Sequence, residues 1–321
     1  MQVDKQKSLQ AVFMIPPKVH LLDITGPAHI FYEAACYGAP VTSLFSSIVT
    51  NQSEAVSSSA LAFHQLTPFD QLNLNSGDLV FVPGLDSMLL LDNHFIETTR
   101  AFQYWLKAQH QKGVIICSVC TGTFLLAAAG LLDNRDCTTH WKYAERFKQQ
   151  HPKARLQTNR LFVKENNIYT SAGVSSGIDL ALYLIEQIWG AHFAAQIAKE
   201  VVIYFRRTID DPQLSVFTQY RNHLDDRIHQ VQDILSQSLD SKLSIDELAA
   251  GVNMSPRNLT RSFKKTTQIT IGEYLDKLRT ERAEQLINEG HSLQATALHC
   301  GLKSVNSLRQ LLNNQHLAAQ K

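Results

Sequence analysis

The stretch "VIICSVCTGTFLLAAAGLLDNRDCTTHW" (114–141) decides how the first two thirds of the chain reads. A continuous apolar run reaches Cys120, turns on Thr121-Gly122, and becomes an alanine- and leucine-rich helix. Such a run, with no alternation of polar residues, is the pattern of a strand buried on both faces in a parallel sheet. The abrupt change of period at a cysteine beside a glycine marks a strand-to-helix turn. A side chain there projects from the carboxyl edge of the sheet, where open α/β sheets bind ligands.

Outward from this stretch the same alternation recurs. "LQAVFMI" (9–15) reads as a first strand, followed by a turn and a helix through "GPAHIFYEAACYG". "PVTSLFSSIVT" (40–50) reads as a second strand and "GDLVFVPG" (77–84) as a buried one ending in a Pro-Gly turn. "HFIETTRAFQYWLKAQHQKG" has helical spacing and stops on Gly113. A small β stretch follows around "RLFVKENNIYTSAG", then helices from Ser175 to about Arg207. Strands alternating with helices predict an α/β domain with a mostly parallel sheet over residues 9–207. Residues 208–226, with Pro212 and mixed polarity, read as a linker.

From 227 to 321 the pattern is wholly helical. Ser244 with Glu247 fits a capping box, and Ser255-Pro256 an N-cap followed by proline at the first helical position. A helix, a turn at Gly251 and a second helix make one helix-turn-helix unit. After the long helix "GEYLDKLRTERAEQLINEG" the pattern recurs, with a Cys300-Gly301 turn and a new helix from Ser304. An internal repeat of this kind predicts an all-α domain with two helix-turn-helix units.

The charge distribution has two readings, an anionic partner for that domain or an ordinary solvated helical surface. The whole chain carries a net charge of +1, which by itself argues for no partner. From Lys242 onward, however, eleven Lys and Arg face seven Asp and Glu, whereas the preceding part holds nineteen basic and twenty-two acidic residues. In the first unit Arg257, Asn258, Arg261, Lys264 and Lys265 supply the polar outer face of a reading helix, above apolar Leu259 and Phe263. Arginine can read guanine edges and asparagine adenine edges, while the two lysines suit phosphates. In the second unit the corresponding helix offers Asn306, Arg309 and Gln310, with Lys303, Ser307 and Asn313, and is less basic. A structural partner helix is an equal reading there.

Cys120 at its turn beside the positive end of a helix is expected to have a lowered pKa and a reactive thiolate. A buried structural cysteine is the competing reading. "CSVC" is not read as a redox pair, because strand alternation puts Cys117 and Cys120 on opposite faces. Candidate partners of Cys120 are Asp23, at the first strand-helix turn, and His140, as carboxylate and imidazole for proton transfer. Asp23 could equally cap the following helix. Backbone amides after Gly84, at Leu85 and beyond, could form an oxyanion cradle.

These residues carry two resemblances. "LSIDELAAGVNMSPRNLTRSFKKTTQITIGEYLDKLRTERAEQLI" resembles the DNA-binding domain of AraC-type transcription regulators, with Gln268 where glycine is usual, Ile271 for proline, and Leu302, Leu308 and Leu312 for phenylalanine. "LLDITGPAHIF", "VFVPG", the 114–141 stretch and "TSAGVSSGIDLALYLIE" resemble the class I glutamine-amidotransferase-like (PfpI-like) domain, in particular its GlxA-type branch fused to AraC-type regulators. That resemblance implies a flavodoxin-like fold. The same stretch is similar to isonitrile hydratase, whose Asp and Cys-Thr match Asp23, Cys120 and Thr121; Leu85 stands where a second glycine is usual.

The resemblances imply a regulator that binds promoter DNA and senses a small nitrogen-containing effector through Asp23, Gly84, Leu85, Cys120, Thr121 and His140. The alternative is a cysteine-dependent hydratase or amidohydrolase using Cys120 and Asp23. A homodimer is expected because paired half-sites favour two-fold symmetry. No cofactor or metal is expected. Five cysteines, no signal peptide and no membrane-spanning stretch lead to an expectation of a cytoplasmic protein.

Overall fold

In the computed structural model, residues 8–319 are described apart from 51, 91–92, 159, 204–206, 208–212, 242 and 289. The chain divides into two compact units, Met1–Gln213 and Leu214–Lys321.

The first unit is built on a seven-stranded sheet. Its spatial order is Phe162–Glu165, Ile168–Ser171, Ile115–Val119, Leu79–Val82, Leu9–Ile15, Val41–Ser47, Thr67–Pro68. All neighbours run parallel except the antiparallel pair Phe162–Glu165 and Ile168–Ser171. The central runs are apolar throughout because both faces are covered. Ala11, Phe13, Ile15, Phe81, Cys117 and Val119 pack under the helices Leu21–Cys36 and Ser175–Trp189. On the other face Val12, Met14, Val80, Val82 and Ile116 pack under Arg100–Gln111 and Thr123–Ala128. The sheet grows in both directions from Leu9–Ile15, so the crevice between that strand and Leu79–Val82 is a topological switch point, the place where such sheets bind ligands.

Several boundaries differ from expectation. The first helix begins at Leu21, so Asp23 lies inside its first turn and not in the turn before it; His20 is the N-cap residue. Asp23 therefore cannot be the capping residue. The strand expected over 40–50 is Val41–Ser47, and that over 77–84 is Leu79–Val82. After Cys120 the chain makes one 3-10 turn, Cys120–Gly122, before the short α-helix Thr123–Ala128.

In the second unit the expected caps are present. Ser244 and Glu247 make a reciprocal capping box at Ile245–Gly251, and Ser255 caps Pro256–Thr267 through the Asn258 amide. Gln268 ends that helix with φ at +66°, the left-handed conformation for which glycine is the usual residue. Thr270 and Glu273 then open the long helix Ile271–Asn288 by the same reciprocal pairing. Leu235, Leu248, Leu259, Phe263 and Tyr274 form the core of the first helix-turn-helix. The second has a smaller core of Ala283, Leu286, Ala297, Cys300 and Leu308, with Leu302 and Leu312 packed against it. Of the expected linker, 208–212 lies outside the described residues. Leu214 onward belongs to the helical unit, where Val216–Gln219 is a helical turn and Tyr220 packs edge-on to Tyr274. Tyr220 is aromatic and Val216 apolar, and both pack on this core, so the linker reading was too long at its C-terminal end.

Among the described residues no helix is long and apolar enough to cross a membrane.

Candidate effector pocket and nucleic-acid interface

Cys120 follows directly on the strand Ile115–Val119 and adopts φ +59°, a strained conformation for a residue other than glycine. Its carbonyl accepts hydrogen bonds from the Thr123 hydroxyl at 3.2 Å and the Thr139 hydroxyl at 3.1 Å, which hold the turn from beneath. The surrounding backbone approaches very closely. A Cβ on Gly173 would stand 2.5 Å from Cys120 Cβ and 2.8 Å from its Sγ, and one on Gly84 would stand 2.4 Å from Asp23 Oδ2.

Asp23 meets the thiol from the first helix. It is 1% exposed, yet both carboxylate oxygens are satisfied. Oδ1 accepts from the Val174 amide at 2.8 Å and Oδ2 from the Gly84 amide at 3.2 Å. The Cys120 sulfur lies within 4.8 Å of the same carboxylate. Thr121 uses its hydroxyl to accept from the Leu85 amide at 3.2 Å. Of the amides after Gly84 expected to cradle an oxyanion, that of Leu85 is thus taken by Thr121 and that of Asp86 by the Lys18 carbonyl at 3.0 Å, which corrects that expectation.

The thiol's ionisation also differs from expectation. Burial, and next the Asp23 carboxylate, push the Cys120 pKa well above its ordinary value, against weaker help from Thr121. At 3% exposure and beside a fixed negative charge, the thiol form dominates in the free protein. The helix that was to lower the pKa is short and separated from Cys120 by the 3-10 turn. Nor does alternation carry over to Cys120, since the strand ends at Val119 and both Cys117 and Cys120 join the same apolar cluster. All five cysteines are free.

His20 is the residue that sequence reasoning missed. Its Nδ1 lies 3.7 Å from Asp23 Oδ2, and its donor atom, the Asp23 carboxylate and Cys120 Sγ all fall within 4.8 Å of one another. The only signal was its place three residues before Asp23. His140 is not part of this cluster. It caps the turn Trp141–Tyr143 by accepting the Lys142 amide at Nδ1, 3.3 Å, so the neutral ring carries its proton on Nε2. Burial lowers its pKa, with the Asp23 charge opposing.

In the helical unit the expected reading helix presents its charges on one face. At about 100° per residue, Arg257, Asn258, Arg261, Lys264 and Lys265 fall within an arc of roughly 120°, and all five are exposed. Leu259 and Phe263 lie opposite and are fully buried. Arg261 donates to the Asn258 carboxamide oxygen at 3.0 Å, which pre-orients both. Asn306, Arg309 and Gln310 are exposed on the helix Val305–Ala319, over a buried Leu308.

Residues 9–187 match the model of the DJ-1/PfpI family, more than half of the chain. The chain belongs to this family. Residues 248–316 match a helix-turn-helix domain model, so the DJ-1/PfpI domain is joined to an AraC-type DNA-binding domain. The HTH-type transcriptional regulator GbdR of Pseudomonas aeruginosa is 32% identical over 226 residues, 69% of this chain and 61% of that protein. The chain thus spans about three fifths of that relative's length. Isonitrile hydratase of Pseudomonas putida is 28% identical over 189 residues, 60% of this chain and 75% of the enzyme. In fold alone, a THiJ/PfpI family protein from Pseudomonas syringae superposes with a TM-score of 0.54 at 17% identity, over 78% of this chain and 93% of that one.

Within the DJ-1/PfpI domain, Leu85 replaces the usual glycine without closing the site. Its side chain is buried in the cluster on the far face of the sheet, while its backbone faces Thr121: the amide donates to the Thr121 hydroxyl at 3.2 Å and the carbonyl accepts from it at 3.3 Å.

Proposed function

We propose that this chain is a cytoplasmic transcription regulator whose DJ-1/PfpI domain binds a small nitrogen-containing effector at the Asp23–Cys120 site and whose helix-turn-helix domain binds promoter DNA. The observation that carries the reading is the cationic arc of Arg257, Arg261, Lys264 and Lys265, laid over a fully buried Leu259–Phe263 stripe. Any surface helix turns its charges to solvent, but this one carries only cations and no acidic residue over Pro256–Thr267, as a helix set against phosphates in the major groove requires. GbdR, a regulator by name, supports it. The protonated, enclosed thiol suits a pocket better than a resting nucleophile.

The regulator acts as a homodimer. An apolar groove of about 670 Å³ runs along the helix Leu21–Cys36, lined by Leu22, Tyr32, Phe45, Phe63 and Ile178, and a second copy would cover it. Effector control then requires different effector affinities in two dimer arrangements, not merely tight binding.

The test is the affinity for the DNA upstream of the chain's own gene, measured by fluorescence anisotropy at physiological salt. Wild type is compared with Arg257→Ala/Arg261→Ala, with and without a panel of amines, amides and isonitriles. Specific binding that is lost in the double variant and shifted by one compound supports the reading. No preference over random DNA would end it. The second reading, a hydratase or amidohydrolase, is favoured by the placement of Cys120 Sγ within 4.8 Å of the Asp23 carboxylate and by the likeness to isonitrile hydratase. It requires consumption of a panel compound that stops in Cys120→Ala and Asp23→Asn.

A further inference from the structure

We infer that His20, Asp23 and Cys120 form a site for a divalent transition-metal ion of the zinc class. Three donors of different type, an imidazole nitrogen, a carboxylate oxygen and a sulfur, converge within 4.8 Å. The His20–Asp23 separation of 3.7 Å is close to the edge of a tetrahedral zinc site, given metal–ligand bonds of about 2.0–2.3 Å.

The donors are held from behind, as metal ligands require. Asp23 has each oxygen fixed by one backbone amide, of Val174 and of Gly84, and each oxygen keeps a lone pair free. The His20 amide donates to the Gly84 carbonyl at 2.9 Å, tying the segment that carries His20 to the one that clamps Asp23. The Cys120 carbonyl is pinned by Thr123 and Thr139. The three ligands therefore come from two strand ends already locked to each other.

Charge gives the second argument. A Cys120 thiolate and the Asp23 carboxylate would be two enclosed anions within 4.8 Å of each other. A dication placed between them offsets both anions, turning a repulsive pair into a neutral site. On binding, the sulfur–metal bond forms and the thiol's proton leaves to solvent, one per ion. Sulfur, nitrogen and oxygen ligands in this number select zinc or its cobalt surrogate over the hard cations magnesium and calcium. Three protein ligands leave the fourth position open to an exogenous donor.

The inference stands independently of DNA binding, because its test involves no DNA. The full chain, in a Cys36→Ser background to remove the exposed thiol, is freed of metal with a chelator and titrated with Co²⁺. The expected result is one Co²⁺ per chain, with a near-ultraviolet thiolate-to-cobalt band, release of about one proton per ion, and displacement by Zn²⁺. The band disappears in Cys120→Ser, and the affinity falls at least about tenfold in His20→Ala. His20 is partly exposed and outside the core, so that variant remains informative if Cys120→Ser does not fold. Absence of the band in the parent overturns the inference, as does a band retained in Cys120→Ser or an unchanged affinity in His20→Ala.

Discussion

Gly173→Ala is expected to destabilise the DJ-1/PfpI unit by about 2–6 kcal/mol, through its backbone conformation and its contact with Cys120. Two costs add. Gly173 has φ +112°, where only glycine is unstrained, and an L-residue there costs roughly 1–3 kcal/mol. The new methyl would also stand 2.5 Å from Cys120 Cβ and 2.8 Å from Sγ, and overpacking of that kind costs about 1–3 kcal/mol. Both atoms belong to a residue that is itself strained and held through its carbonyl, so neither side can easily retreat. For a unit of this size the sum lowers the melting temperature by on the order of 10 °C. The assay is thermal unfolding of the full chain, with DNA affinity as a control that the helical unit is intact. The two costs separate in Cys120→Gly/Gly173→Ala. Removing the cysteine side chain relieves the clash but not the backbone strain, so about half of the loss returns, measured against Cys120→Gly alone. A Gly173→Ala melting curve superimposable on wild type would refute the close-approach argument. Full rescue in the double variant would refute the backbone part.

Lys264→Ala/Lys265→Ala should weaken DNA binding evenly across sequences and make the slope of log affinity against log salt shallower by about 1.8, two phosphate contacts at about 0.9 each; titration at several salt concentrations reads this directly. Gly301→Ala should cost about 1–3 kcal/mol of helical-unit stability, measured by urea denaturation, because Gly301 has φ +64° and a Cβ would lie 2.4 Å from the Leu239 carbonyl oxygen. Stability of the first unit should fall as pH rises from about 9 towards about 12, since burial pushes Cys137 up to about 12. A group whose folded pKa is raised stabilises fully below its unfolded value and loses that contribution as pH climbs to the folded one, and Cys137→Ala should flatten the decline over that window. Leu22→Glu/Tyr32→Glu, placed on two half-exposed residues of the apolar groove, should convert a dimer to a monomer by sedimentation and lower affinity for a two-half-site DNA.

What was legible and what was not divide along a physical line. Leu9–Ile15 was readable because a strand buried on both faces needs no partner to be recognised, only an uninterrupted apolar run. The caps at Ser244, Ser255 and the turn at Cys300-Gly301 were readable because they are local hydrogen-bond chemistry. Asp23 was displaced into a turn because "LLDIT" has too few residues for helical periodicity to register before Gly26-Pro27. His20 carries no periodic signal at all; its meaning comes from the return of the chain at Gly84. The thiol's ionisation could not be read locally either. Helix-end electrostatics are visible in sequence, but the burial that overrides them is made by segments near residues 20, 84 and 173.

The position of Pro27 bears on how such a site could report its occupancy. Proline has no amide hydrogen, so the carbonyl of residue 23, four positions earlier, lacks its helical partner. The helix Leu21–Cys36 is therefore missing a rung at the very residue that faces Cys120. At Gly26-Pro27 the helix is clamped, since Gly26 admits Ile178 and Gly177 admits Pro27 to close contact. A ligand or ion that pulls on the Asp23 carboxylate thus acts on the one turn with a hydrogen bond to spare. That turn also carries Leu22 at the edge of the apolar groove, half-exposed while Asp23 is enclosed. Asp23 of the site and Leu22 and Ile24 of the groove thus share one helical turn. Replacing Pro27 with alanine restores the missing rung, and should stiffen the turn and weaken any effect of pocket ligands on dimerisation while leaving their binding intact. Sedimentation of this variant with and without ligand decides it, and an undiminished ligand effect would show that the signal leaves the site by another route.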